Sequence, residues 1–463
     1  MSMIASLSYL FAVASILLLA ANGEPVADQH VLNLPHEPLQ VGELWRFDVG
    51  KDSERLNRVL RLAEEHDLDL WHIAHSHVDV YSPGSAGPLL ESLRALPHSL
   101  VANITSPVHM RPYASTEWDR LPVENTTFHA EYHPLFEIDA FMRELAKQHP
   151  DVVKVNNLGH SGTGREMLGL TISRPSKGRL RGKERSDHGS GDDGKLAFVI
   201  IGAQHAREWV ATATALYLAH ALASNASNKH SLSHLLDVYD FYIVPVPNPD
   251  GYDYTWETDR FWYKTRQLMG SKNKCFGLDM NRNWGYKWKP RPQGEGLRST
   301  TKPREPVDPC SHWYPGHRPF EAPEVNNIAN LIITIPNLIG FIDLRSYGQM
   351  LSSPFSYSCT KVPRDAEDQL EAGLGAAQAL GQLHGTAMKT GTLCKQLYRA
   401  PGNVVDWMYK GAGIKYSYVL HLRDTGTYGF SLPPKWIRPV GEETAEMIKY
   451  LAKFIAKKMH RTL

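Results

Sequence analysis

The sequence predicts an α/β protein, a mixed and largely parallel sheet covered by helices on both faces, preceded by a small α+β unit. Three observations carry that reading. Apolar runs of strand length alternate with helix-period segments from about Phe128 onward, the order expected of a sheet built with crossover helices. At 463 residues the chain exceeds one average core, so two folded units are expected. The stretch Ile201 to Val210, IGAQHAREWV, ends a buried strand at Gly202 and then sets His205 and Glu208 three residues apart. An imidazole and a carboxylate therefore stand at the carboxyl edge of the sheet, where open α/β sheets place their sites.

The chain opens on an apolar run from Leu7 to Ala21 that ends in the small residues Ala21-Asn22-Gly23. This is the pattern of a secretory signal peptide, residues 1–23, although no Lys or Arg precedes the run; it is too short to span a bilayer. Between Val41 and Ile104 the spacing predicts a strand at Leu44–Asp48, a helix at Arg55–Glu65 and a strand-like segment over Leu68–Val80. A helix at Leu89–Leu96 and a strand at Ser99–Ile104 follow. That β-α-β-α-β order fits a small ferredoxin-like sandwich with helices on one sheet face. Thr105–Val123, rich in proline and polar residues, reads as a linker.

In the second unit Ile138, Phe141, Met142 and Leu145 mark one helix face, stopped by His149-Pro150. Strands follow at Val152–Val155, Met167–Ser173 and Leu196–Gly202, then a helix to about Ala223 and a strand at Tyr239–Val246. Pro175–Gly194 and Lys289–Pro306 are polar insertions that read as surface loops. The domain plan is thus 1–23 signal peptide, 24–122 small unit with linker, and 123–463 large domain.

Charge excludes some partners. Lys+Arg number 50 against 49 Asp+Glu, so nothing pulls the chain toward nucleic acid or an anionic membrane; no later stretch of about eighteen apolar residues follows the first, so a soluble mature protein is expected, and a monomer. Sequons at Asn103, Asn125 and Asn225 fit a secreted glycoprotein. Four cysteines are compatible with two bridges in an oxidising compartment. His205 and Glu208 suit Zn²⁺, whose catalytic sites take three protein ligands and leave one position open. Alone, such a pair at the start of a helix is more often simply solvated, so the metal reading depends on the rest of the chain.

The rest supplies ordered motifs: HARE at His205, PNPDGY at Pro247, DMNRNW at Asp279, PGHRPFEAPE at Pro315, SYGQ at Ser346, DW at Asp406 and LRDTGTYGF at Leu422. From about Val41 to the C-terminus the chain resembles the zinc metallocarboxypeptidases of the A/B type. Among them it is most similar to the fungal cell-wall-associated inactive members, which keep HxxE and lose the catalytic Glu. The resemblance implies a mixed eight-stranded sheet sandwiched by helices and a pro-domain before it. It also implies zinc as cofactor, held by His205 and Glu208.

Three central positions depart from the family pattern. The third ligand, a His before the SY dipeptide, is Arg345, and a guanidinium has no lone pair to give a metal. The general-base Glu is replaced by His421, and the Arg that polarises the scissile carbonyl by Tyr263. The resemblance still implies a cradle for a peptide C-terminus: Asn281 and Arg282 on the carboxylate, Tyr398 closing over it, Arg207 and Arg260 in outer subsites. Val405 would select an apolar side chain, and Asp279 would orient His205. Disulfides Cys275–Cys310 and Cys359–Cys394 are expected, the first as a family bridge. The implied function is a secreted pseudopeptidase of the extracellular space, cell wall or vacuole that binds peptide or protein C-termini. Its alternative is a zinc carboxypeptidase releasing C-terminal apolar residues. Arg111 and Arg120 are candidate points of pro-domain cleavage. With Arg345 turned inward, an ion pair to Glu208 is expected where the metal would sit, and zinc affinity should be low.

Overall fold

In the computed structural model the described residues are 40–50, 52–74, 76–83, 91–106, 121–175, 194–269, 275–289 and 308–461. The signal-peptide segment, the candidate cleavage points Arg111 and Arg120, most of the linker and most of the two polar insertions lie outside them.

Two sheets organise the chain. The first has four antiparallel strands in the order β2-β3-β1-β4, with β1 at Gln40–Asp48, β2 at Asp69–Ile73, β3 at His77–Pro83 and β4 at His98–Ser106. Helix α1, Ser53–Glu65, is capped by the Asp52 carboxylate, which accepts from the backbone of Glu54 and Arg55. The segment Leu68–Val80 is two strands rather than one. The chain doubles back after Ile73, where Ala74 N donates to His77 O at 2.8 Å, so β2 and β3 pair as a hairpin. Phe47, Val59, Val78, Val80 and Leu93 make the core between this sheet and its helices.

The second sheet has eight strands in the order β13-β12-β14-β11-β7-β8-β6-β5. In chain order these are β5 Val153–His160, β6 Glu166–Ile172, β7 Leu196–Ile201, β8 Tyr239–Val244, β11 Leu338–Arg345, β12 Met350–Ser353, β13 Lys389–Thr392 and β14 Tyr416–His421; β9 (Leu268–Met269) and β10 (Cys275–Phe276) form a separate two-residue ladder. The centre β14-β11-β7-β8 is parallel, while β5, β6 and β12 join antiparallel. β7 is buried along its whole length, which is why LAFVII shows no alternation. Helices α2 (Leu135–Gln148), α3 (Trp209–Ala223) and α4 (Ile437–Lys458) contribute to the core on one face. Met280, Trp284, Val325, Ile328 and Met408 pack against Val199, Ile201 and Phe341 on the other. No helix of the described residues is long and apolar enough to cross a membrane.

Both sheets lie in one compact unit, Leu39–Leu463. A shared apolar cluster joins them: Leu44, Trp71, Tyr81 and Ile104 from the first pack with Phe261, Tyr347 and Phe430 from the segments beside the second.

Candidate functional site

Parallel strands end together, and here three of them end at one place. β7 leads through Gly202 into His205 and Glu208, β11 ends on Arg345, and β14 ends on His421, which is in register with Arg345. Gly202 is required because a Cβ there would come within 2.0 Å of Pro245 O. Gly402, at φ +77°, likewise lets the chain pass over Arg282 O, which a Cβ would approach to 2.3 Å. Trp284 N donates to Gly402 O, so this crossing fixes the Asp279–Trp284 segment under the cleft.

The expected ion pair is present. Arg345 Nε donates to Glu208 Oε2 at 2.8 Å and Nη2 to Glu208 Oε1 at 2.9 Å, a bidentate fork. Arg345 Nη2 also reaches His205 Nδ1 at 2.5 Å, and a guanidinium cannot accept, so Nδ1 is the acceptor. The other ring nitrogen, Nε2, lies 2.9 Å from Asp279 Oδ1 and donates to it. Ser346 N adds a backbone donor to Glu208 at 3.2 Å. Burial alone would raise the Glu208 carboxyl, but the Arg345 guanidinium beside it brings it down to about 2. Asp279, also buried, is held well below the usual carboxylate range by His205 and Arg282.

Sequence reasoning missed the support behind this pair. Asp343, two residues before Arg345 on the same face of β11, lies 3.5 Å from its Nη1. Burial pushes the Asp343 carboxyl up to about 7. Gln204 donates to Asp343 at 2.9 Å and accepts from Trp284 Nε1 at 2.9 Å. The period-2 spacing of Asp343 and Arg345 was the available signal.

A cavity of about 120 Å³ gathers His205, Glu208, Arg207, Arg282, Tyr263, Tyr398, Arg345 and His421. Arg282 Nη2 donates to Tyr398 OH at 2.5 Å, while its Nε has no partner within the protein. Tyr263 OH bonds to His312 O, and its ring meets the His205 ring edge-on at 4.9 Å. His421 Nδ1 is shielded and unpartnered; burial, then Arg345, lowers this histidine to about 3, so it stays neutral.

Three predicted residues do not line the cavity. Arg260 donates to Arg207 O and Phe430 O and lies over the Trp209 ring. Asn281 uses its Oδ1 to accept from Val404 N. Val405 is fully buried with Leu393 and Val419, and reaches the cavity only through Leu397, which packs on them.

The roof is β2. Asp69 Oδ2 accepts from Arg207 Nη1 at 2.6 Å and from Trp71 Nε1 at 3.0 Å, and Arg207 Nη2 reaches Leu70 O at 3.4 Å. Just before it, Asp67 accepts from Ser311 Oγ and His312 N. His72 stacks on Tyr347 at 5.3 Å.

These residues do not fit a zinc ion. The two ligand groups that converge, His205 Nδ1 and Glu208, converge on a guanidinium. Among the described residues, the one trio of His, Cys, Asp or Glu side chains with ligand atoms within 4.8 Å of one another is Cys275, Asp308 and Cys310, and its two sulfurs form a disulfide. The second bridge joins Cys359 to Cys394, and no free cysteine remains among the described residues. Asn103, Asn125 and Asn225 are all exposed.

An eight-stranded mixed sheet with an HxxE pair at its carboxyl edge defines a carboxypeptidase-like α/β protein. Residues 138–447 match the zinc carboxypeptidase family, and the chain belongs to it. It is 30% identical to the inactive metallocarboxypeptidase ecm14 of Talaromyces stipitatus over 84% of this chain and 68% of that one. It is 36% identical to carboxypeptidase A2 of Rattus norvegicus over 87% and 91%. The crystal structure of carboxypeptidase A from Helicoverpa armigera superposes with a TM-score of 0.74 at 25% identity, covering 92% of this chain and all of that one.

Proposed function

We propose that this protein is a secreted, non-catalytic member of the family that retains a pocket for peptide or protein C-termini, with a role in cell-wall organisation. The bidentate Arg345–Glu208 pair carries the reading. It stands where the third ligand of a working site would complete the metal, while Tyr263 and His421 occupy the positions of the electrophile and the base. Losing one base or one oxyanion donor costs roughly 10²–10⁴-fold in rate, and here both go together with a metal ligand.

What supports binding is the arginine set. Arg282 and Arg207, which both line the cavity, offer guanidinium donors to a carboxylate. In the closed form Asp69 of β2 already takes Arg207, and the cavity is too small for a peptide, so a C-terminus enters only when β2 is displaced. The N-terminal sheet therefore acts as a pro-domain-like cover.

The test is calorimetric titration with a peptide ending in Phe, beside a turnover assay on the same peptide. Weak binding to the intact chain, tighter binding to Asp69→Ala, loss of binding on adding Arg282→Ala, and no turnover are expected. Turnover abolished by a chelator would establish instead the alternative, a zinc carboxypeptidase releasing C-terminal apolar residues.

A further inference from the structure

We infer that the Arg345 guanidinium is a resident counter-cation: it takes over the structural work of a metal at this site, so that the chain folds and keeps its cleft in shape without any bound ion. Three acceptor atoms converge here, both oxygens of Glu208 and Nδ1 of His205, and the same side chain satisfies all three, at 2.8, 2.9 and 2.5 Å. Glu208 and Arg345 are 2% and 4% exposed, so neither charge has water to fall back on. The fork is planar and matches the carboxylate in two parallel bonds, which fixes orientation as well as charge.

The guanidinium is also anchored rather than swung in. Arg345 is the last residue of a central strand, pairs with His421 on β14, and accepts from Leu422 N at 2.9 Å. Its Nη1 side faces Asp343, itself held by Gln204. A dication entering between His205 and Glu208 would have to displace a fixed positive charge from the one carboxylate it needs, and at these separations like charges repel strongly. The cation supplied by the chain therefore excludes the cation supplied by solution. The same bond keeps His205 Nδ1 as acceptor and Nε2 as donor to Asp279, the arrangement a metal would impose.

This inference rests on the non-catalytic reading of the same site, but its test is separate. Thermal unfolding of the full chain is followed with zinc, with a chelator and with neither. The native protein should show one unchanged Tm in all three and should carry no stoichiometric zinc by elemental analysis. Arg345→Ala should lower Tm by on the order of 5 °C, since it leaves a buried carboxylate unpaired, and added zinc should recover part of that loss. Arg345→His should bind zinc and become chelator-sensitive. A native Tm that falls on chelation, stoichiometric zinc in the native protein, or an Arg345→Ala protein as stable as the native one would each overturn the inference; if neither variant folds, the native measurements decide. A protein that ignores chelators and also ignores peptides would defeat the proposed function alone.

Discussion

Arg345 presents N–H donors and no lone pair, and everything within hydrogen-bond reach of it has to be an acceptor. Glu208 and His205 Nδ1 are, so the guanidinium meets acceptors on that side. That much was legible, because the flanking SYGQ and HARE motifs fix which positions face each other. The fate of Val405 was not, since position in a motif does not say whether a side chain lines a cavity or lies one layer beneath it. Nor was the Asp343–Gln204 support, which depends on a contact across 139 residues. Residues that act as one unit are non-additive, which sets the expectation for reversal. Arg345→His, His421→Glu and Tyr263→Arg together should recover zinc-dependent cleavage of a C-terminal Phe, whereas each alone should stay at background. A single substitution that restored turnover would show that the other two positions are not limiting.

Among elements, β2 determines most of the cleft's behaviour and was the hardest to read. Leu68–Val80 has no Gly or Pro, so nothing local announces the turn after Ile73; pairing with β3 and burial of Trp71 against Phe261 and Phe430 decide it. Asp69 and Arg207 are both largely buried, with side-chain exposures of 12% and 5%. Removing one partner leaves the other charge stranded, at a cost of roughly 3–5 kcal/mol. Asp69→Ala should lose about that much in urea unfolding, and a loss below 1 kcal/mol would mean that water reaches Arg207. A second element-scale case is the turn Thr127–Ala130, which docks through His129 Nε2 to His220 Nδ1 of α3 at 3.2 Å, with Arg438 of α4 and His133 nearby. Burial, then His220, depresses His129 well below its usual 6.5. The unfolded chain takes up that proton and the folded chain does not, so this contribution is present above pH 6.5 and lost below it, by up to about 1.4 kcal/mol per pH unit. Unfolding of His129→Gln at pH 7.5 and 5.5 should therefore show a smaller acid loss than the native protein; equal losses would place the acid sensitivity elsewhere.

For the whole molecule, the large sheet was legible where strands are fully buried, as in LAFVII of β7, and less so at its edges. β12 and β13 are four residues each and carry too little pattern to be read alone. The relation between the two sheets was the least legible, because it rests on side chains far apart in sequence. Leu44, Trp71, Tyr81 and Ile104 share one apolar cluster with Phe261, Tyr347 and Phe430, and Asp67 and Asp69 add polar ties to His312, Ser311 and Arg207. Separating the sheets would return those aromatic faces to water, at about 1.5–3 kcal/mol for each large side chain, and would strand Arg207. All of these contacts are made by residues outside the connection between residues 106 and 121. Cutting the connection should therefore leave the N-terminal sheet bound. With a specific protease site inserted between Arg111 and Arg120, cleavage at that site alone followed by size-exclusion chromatography should give two fragments on a denaturing gel that coelute as one species under native conditions, and the same experiment on Asp69→Ala should release a larger share of the N-terminal fragment. Complete separation of the nicked native protein at neutral pH would show that the connection, and not the apolar cluster, holds the cover on the cleft.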